Sequence, residues 1–224
     1  GSDGTSPIQS ALNYSLNVVL PQGTYTVSST LVMRTAGRLV GSGAEKTILQ
    51  RLTNFGDTLQ VGDPAGATFN ANDFVVKDIW FYRPFTYIAG TTTSIDNPVA
   101  AGAAAINVYG GQRGLIDGGF FSAMPYNVIL EQTSLTSITR STFNGIWDPD
   151  IVGLQEGLAS IYLKSNATTV NTLNTIDNNH ISGGFFSAAR DVTIGTVTFN
   201  TTVQIGAKVG VLVNSCEGLN ITNE

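Results

Sequence analysis

The chain has 224 residues, a net charge of −5 and a pI near 4.7, with 12% charged residues against 42% hydrophobic ones. So acidic a balance, with no basic stripe, argues against a nucleic-acid binder, and no run approaches the ~18 apolar residues of a membrane span. Cys216 is the single cysteine, so an intrachain disulfide is excluded.

The predicted elements begin with a helix. In Ser6-Pro7-Ile8-Gln9, Ser6 reads as the N-cap, Pro7 as the first helical residue and Gln9 as the third, a capping box. The helix is predicted to run through Ala11 and Leu12 and to end near Asn13. Two strands follow in the stretch from Val18 to Val27, joined by the Pro21-Gln22-Gly23 turn. Gly41-Ser42-Gly43 marks another turn before the strand Thr47-Ile48-Leu49-Gln50. The dense aromatic run from Trp80 to Tyr87 must bury either Phe81 or the pair Trp80 and Tyr82, since strand residues alternate between faces.

An internal repeat organises the second half. Residues 116–123 read IDGGFFSA and residues 181–188 read ISGGFFSA, an offset of 65 that also carries Ile129 to Ile194. Between the two copies, the stretch from Ser137 to Asn144 matches the same frame and divides the offset into three rungs. Rungs of roughly 20–22 residues are the period of a parallel β-helix. In this frame Ser122, Asn144, Asn166 and Ser187 form a polar corner column. Ile116, Ile138 and Ile181 form one inward column, and Phe121, Phe143 and Phe186 another, which places Phe121 and Phe186 about 14 Å apart along the axis. Segments 84–104 and 145–158 are too long for rung corners and read as excursions on one face. The predicted fold is all-β, a single-stranded right-handed parallel β-helix with a short N-terminal capping helix. It forms one domain over 1–224, and the chain reads as a fragment truncated at both ends of a longer protein.

Candidate chemistry concentrates in the second excursion. Glycoside hydrolysis needs two carboxylates about 5–9 Å apart. Asp148, Asp150 and Glu156 are the predicted catalytic residues, and Trp147 is a platform for a sugar ring. The alternative is that Asp-Pro-Asp is turn chemistry and Trp147 packs the loop down. Asp117 and Arg140 are the further candidates for substrate contact, with corner hydrogen bonding as the competing role. Arg113, Arg140 and Arg190 do not line up as a stripe, and His180, the only histidine, reads as a surface residue. No spacing suggests a metal site, and no cofactor is expected.

Three segments, 3–12, 18–25 and 39–49, carry a resemblance to a known family. Asp3-Gly4-Thr5-Ser6-Pro7 opens the helix, Pro21-Gln22-Gly23-Thr24-Tyr25 the turn, and Gly41-Ser42-Gly43 the next turn. In content and order they resemble the pectate-lyase-like superfamily, in the branch of phage tailspikes and capsule depolymerases. Residues 51–224 match only as generic rungs. The resemblance implies binding and cleavage of a bacterial capsule or O-antigen polysaccharide, a homotrimer, and a place on a virion tail or outside the cell. It implies neither nucleic-acid binding nor membrane insertion. The same superfamily holds hydrolases, lyases, epimerases and inactive adhesins. Several readings therefore stand side by side: a hydrolase-type depolymerase, a polysaccharide lyase, a non-catalytic receptor-binding or adhesin module, and a secreted plant-polysaccharide enzyme.

Overall fold

The computed structural model describes residues 3–52, 56–64, 71–82, 104–122, 126–144, 159–164, 171–182, 186–187, 193–194, 209–214, 216–217 and 220–222. Short β-branched and aromatic strands pair only in parallel, and the chain passes through three sheets in turn. The first sheet stacks Asn17–Val19, Arg38–Val40, Val75–Lys77, Leu115–Asp117, Ser137–Thr139, Thr175–Asp177 and Asn220–Thr222, with Thr193–Ile194 added at its end. The second stacks Gly23–Val27, Thr47–Arg51, Trp80–Tyr82, Phe120–Ser122, Thr142–Asn144 and His180–Ser182. The third stacks Leu31–Met33, Leu59–Val61, Ala104–Tyr109, Tyr126–Glu131, Ala159–Lys164 and Val209–Asn214, followed by Phe186–Ser187. This is a right-handed parallel β-helix.

Alternation points one column of each sheet into the solenoid. Val18, Leu39, Val76, Ile116, Ile138 and Ile176 line up from the first sheet. Leu59, Ile106, Val128 and Ile161 come from the third. Leu49, Phe81, Phe121, Phe143 and Ile181 come from the second. The rings of Phe81 and Phe121 stack at 5.4 Å, and those of Phe121 and Phe143 at 4.7 Å, within 5° of parallel. All three are buried in one continuous core.

The two octapeptide copies do not superpose as members of one column. Ile116 and Ile138 are adjacent, one short rung apart, but the next member of their column is Ile176, at the end of a longer rung. That longer rung shifts the second copy round the solenoid by one sheet. Ile181 therefore lies next to Phe143, not in the Ile116 column. Phe186 and Ser187 pair with Leu212 and Val213 in the third sheet, whereas Phe121 and Ser122 belong to the second. Ile129 pairs with Tyr162, and Ile194 with Ile221 of the first sheet. The first two members of each expected column are correct, since Ser122 does face Asn144. The next residue in that column is Ser182, and Asn166 lies outside the described residues.

Corners between the sheets are built from left-handed backbone. Asp78, Gly118, Arg140 and Asn178 stand at equivalent places between the first and second sheets, with φ from +49° to +62°. Ala36, Asp73, Arg113, Leu135 and Leu173 do the same between the third and first, with φ from +52° to +56°. Such a conformation costs a non-glycine residue roughly 1–2 kcal/mol. It turns the chain sharply while keeping the rung-to-rung hydrogen bonds, as Asp78 N–H to Asp117 carbonyl (3.0 Å) and Gly118 N–H to Thr139 carbonyl (3.1 Å) demonstrate. The polar residues that stabilise these corners point inward. Buried Asn171, Asn174 and Asn179 each accept, through Oδ1, a backbone N–H from the preceding rung, those of Thr133, Thr136 and Ser141.

The N-terminal helix spans Thr5–Tyr14 and covers the open end of the core with Ile8 and Leu12. Its start corrects the capping-box reading. Gly4 is the N-cap without a side-chain hydrogen bond, and Asp3 Oδ1 accepts from the Thr5 N–H (2.9 Å) and hydroxyl (2.6 Å). Pro7 is accommodated because first-turn N–H groups have no helical partner. Gln9 caps the sheet rather than the helix. Its amide accepts from Val32 N–H (2.7 Å) and donates to Val32 carbonyl (3.0 Å), satisfying the edge of the third sheet.

Candidate functional site

The corner between the second and third sheets changes length sharply from rung to rung. It takes three residues in the first rung, 28–30, and three in the fourth, 123–125. By contrast, residues 83–103 separate Tyr82 from Ala104, and residues 145–158 separate Asn144 from Ala159. After His180–Ser182 the chain reaches the third sheet again within three residues, at Phe186–Ser187, and then the first sheet at Thr193–Ile194. Both predicted excursions therefore begin and end at this one corner. Two outward faces flank it.

On the second sheet the face is aromatic. Burial of Phe81 turns Trp80 and Tyr82 outward, where both stay half-buried. Phe120, one rung on, meets the Trp80 ring edge-to-face at 5.2 Å, and Tyr82 lies 5.6 Å from it. The Trp80 indole N–H donates to the Ser122 hydroxyl at 2.7 Å, which fixes the ring's orientation. Thr142 and exposed His180 continue the Trp80–Phe120 column.

The third sheet carries polar and ionisable groups. Ile106 and Val108 point into the core, so Asn107 and Tyr109 point out. Asn107 Nδ2 donates to Asp57 Oδ2 (3.0 Å) and to the Tyr109 hydroxyl (2.8 Å), while Asp57 Oδ1 accepts the Ala104 N–H (2.8 Å). Burial, then the charges of Asp57 and Glu131, push the Tyr109 phenol up to about 12, and its oxygen accepts from Asn107. Glu131, level with Tyr109 on the adjacent strand, pairs with Lys164 at 3.0 Å. Buried Arg51 is depressed by desolvation against the opposing charge of Asp57. Tyr126 and Tyr162 stack at 5.7 Å beside Ile129 and Ala104, forming a second apolar cluster outside the main core. Sequence reasoning missed this group. Asp57, Tyr109 and Glu131 are far apart in the chain, and Asp57 precedes its strand whereas Tyr109 and Glu131 end theirs, so no shared local signal marks them.

Of the candidates named from sequence, Asp117 and Arg140 come together, at the corner between the first and second sheets. Asp117 is 3% exposed. Its carboxylate accepts from Arg140 Nε (2.8 Å) and Nη2 and from the Thr139 hydroxyl (3.1 Å), and Lys77 Nζ lies 3.3 Å away. The group thus ties three successive rungs, while Arg140 remains 60% exposed. Burial alone raises the Asp117 carboxyl, but the bonds from Arg140, Lys77 and Thr139 outweigh it and hold the group below its ordinary range. A depressed folded pKa stabilises above the unfolded value and loses that contribution as pH falls through the folded one. Asp117→Asn is therefore expected to cost about 1–3 kcal/mol at pH 7, towards the lower end because solvent screens Arg140. Urea unfolding of both proteins from neutral to strongly acid pH checks this; a difference that persists undiminished at the acid end contradicts it. Trp147, Asp148, Asp150, Glu156 and Arg190 lie outside the described residues. Arg113 pairs with Asp73 at 2.7 Å.

No family model matches the sequence, and no curated protein matches it. Solved structures do. PfbA, a surface adhesin of Streptococcus pneumoniae, aligns with 98% of this chain and 59% of its own at 15% identity, with a TM-score of 0.66. The A-module of the Azotobacter vinelandii mannuronan C-5 epimerase AlgE6 aligns with 99% of this chain and 54% of its own at 16% identity and 0.57. ORF18 of Geobacillus virus E2 aligns with 82% of this chain and 35% of its own at 18% identity and 0.53. The likeness is one of fold. The chain spans between 35% and 59% of the length of these three proteins.

Proposed function

We propose that this β-helix recognises a polysaccharide at the corner between its second and third sheets, as part of a tailspike-type depolymerase of bacterial capsule or O-antigen. The supporting observation is the Trp80–Phe120–Tyr82 cluster, held outward by Phe81 and locked by Ser122, beside the corner from which 83–103 and 145–158 depart. Aromatic faces offer apolar area at little conformational cost and suit the C–H face of a sugar ring. The neighbouring carboxylates supply what bond cleavage needs. Asp148, Asp150 and Glu156 belong to the 145–158 connection, with Trp147 next to them, and Asp57 and Glu131 flank Tyr109 on the adjoining sheet. In this reading Asp117 and Arg140 hold the rungs, and the exposed guanidinium offers a peripheral sugar contact. The full-length protein would be a homotrimer working outside the cell or on a virion tail.

Trp80→Ala is expected to weaken binding of the host-surface polysaccharide at least tenfold, about 1.4 kcal/mol. Calorimetry with purified capsule or O-antigen measures it, with circular dichroism to verify that the solenoid is retained. An intact variant with unchanged affinity removes the aromatic face from the reading. The non-catalytic alternative is separated by incubating the protein with the same polysaccharide and looking for released oligosaccharides.

A further inference from the structure

We infer that the glycan taken by this corner is uncharged, a neutral polysaccharide rather than a polyuronate or another polyanion; this rests on the reading of the corner as a glycan platform. Recognition of a carboxylate or sulfate along a polymer needs cations placed to meet it, preferably with donors to spare. Among the described residues, the outward positions of the second sheet supply none. They are Thr24, Thr26, Ile48, Gln50, Trp80, Tyr82, Phe120, Ser122, Thr142 and His180, which are apolar, aromatic or hydrogen-bonding groups. On the third sheet, Lys164 is engaged by Glu131 at 3.0 Å, and Arg51 is buried beside the charge of Asp57.

The connections that leave this corner lean the same way. Together 83–103 and 145–158 contain Arg83 against Asp96, Asp148, Asp150 and Glu156, one cation to four anions. The whole chain carries −5, so the long-range field repels a polyanion before contact. Of the exposed cations described elsewhere, Arg113 and Arg140 are each paired with an aspartate, while Arg34, Arg38 and Lys46 lie outside the strands of the second and third sheets. Stacking on Trp80 and Phe120 with hydrogen bonds from hydroxyls and amides is the chemistry that reads a neutral sugar.

The test compares neutral polymers (a dextran, a galactan, a mannan) with polyanionic ones (polygalacturonate, alginate, hyaluronate) by calorimetry at pH 7.5, in low and in physiological salt. The proteins are the 224-residue chain, Trp80→Ala and Thr142→Lys. At least one neutral polymer should bind with an affinity independent of salt and at least tenfold weaker in Trp80→Ala, while each polyanion binds at least tenfold more weakly still. Thr142→Lys, which puts a cation beside Phe120, should raise polyanion binding several-fold. Polyanions bound most tightly, with loss in Trp80→Ala, would overturn the neutral assignment and leave the platform standing. Binding unaffected by Trp80→Ala, or none by any of the six polymers, would overturn the platform and the inference with it.

Discussion

Phe121→Ala is expected to lower the unfolding free energy by about 3–5 kcal/mol, the usual cost of emptying a large aromatic site in a core. Phe121 is fully buried between Phe81 and Phe143, with near-parallel rings at 5.4 and 4.7 Å on its two sides. Truncation removes both stacking partners at once, and neighbours held at fixed strand spacing cannot collapse into the gap. In a solenoid each rung is supported only by its neighbours, so the loss divides the stack between the rungs before and after it. Equilibrium urea denaturation followed by circular dichroism measures the change, and Phe121→Leu, which refills part of the volume, should recover part of it. A loss below about 1 kcal/mol would contradict the continuous-core description.

The largest effect on activity is expected at the 145–158 connection. If its carboxylates perform acid–base catalysis, Asp148→Asn or Asp150→Asn lowers depolymerisation by the full-length protein by about 10³-fold or more with folding intact. Glu156→Gln tests the third carboxylate in the same assay. Glu131→Gln is the informative comparison, because Glu131 is already engaged by Lys164 and lies across the corner beside Tyr109. A loss of that size in Glu131→Gln alone would move the chemistry to the third sheet. Unchanged turnover in all four variants would place the chemistry outside both groups, and failure to release oligosaccharide from any glycan that binds would leave recognition alone. Turn-forming aspartates behave oppositely, costing about 1 kcal/mol of stability with activity untouched.

Much of the architecture is legible in the residues because a parallel solenoid repeats one local problem in every rung. Strand alternation, apolar columns and polar corners need only local spacing, so Ile116 with Ile138 and Phe121 with Phe143 follow from one constant shift along the chain. The buried Phe81 between outward Trp80 and Tyr82 follows from alternation alone. Counting fails where a rung is lengthened. Because the rung from Ile138 to Ile176 is longer than the one before it, the second octapeptide moves to another sheet although its sequence scarcely changes. Parallel pairing fixes the position of a strand, and local composition does not. Helix capping went the same way: Gln9 has the right offset for a capping box, but the unpaired edge at Val32 is a better partner than the helix end. The sequence by itself therefore determined the β-helix, its N-terminal helix and the two long connections. Only the tertiary structure decided that those connections share one corner, that Asp117 is held by Lys77 and Arg140 from neighbouring rungs, and that Asp57, Tyr109 and Glu131 meet, because each of these depends on which rung lies beside which.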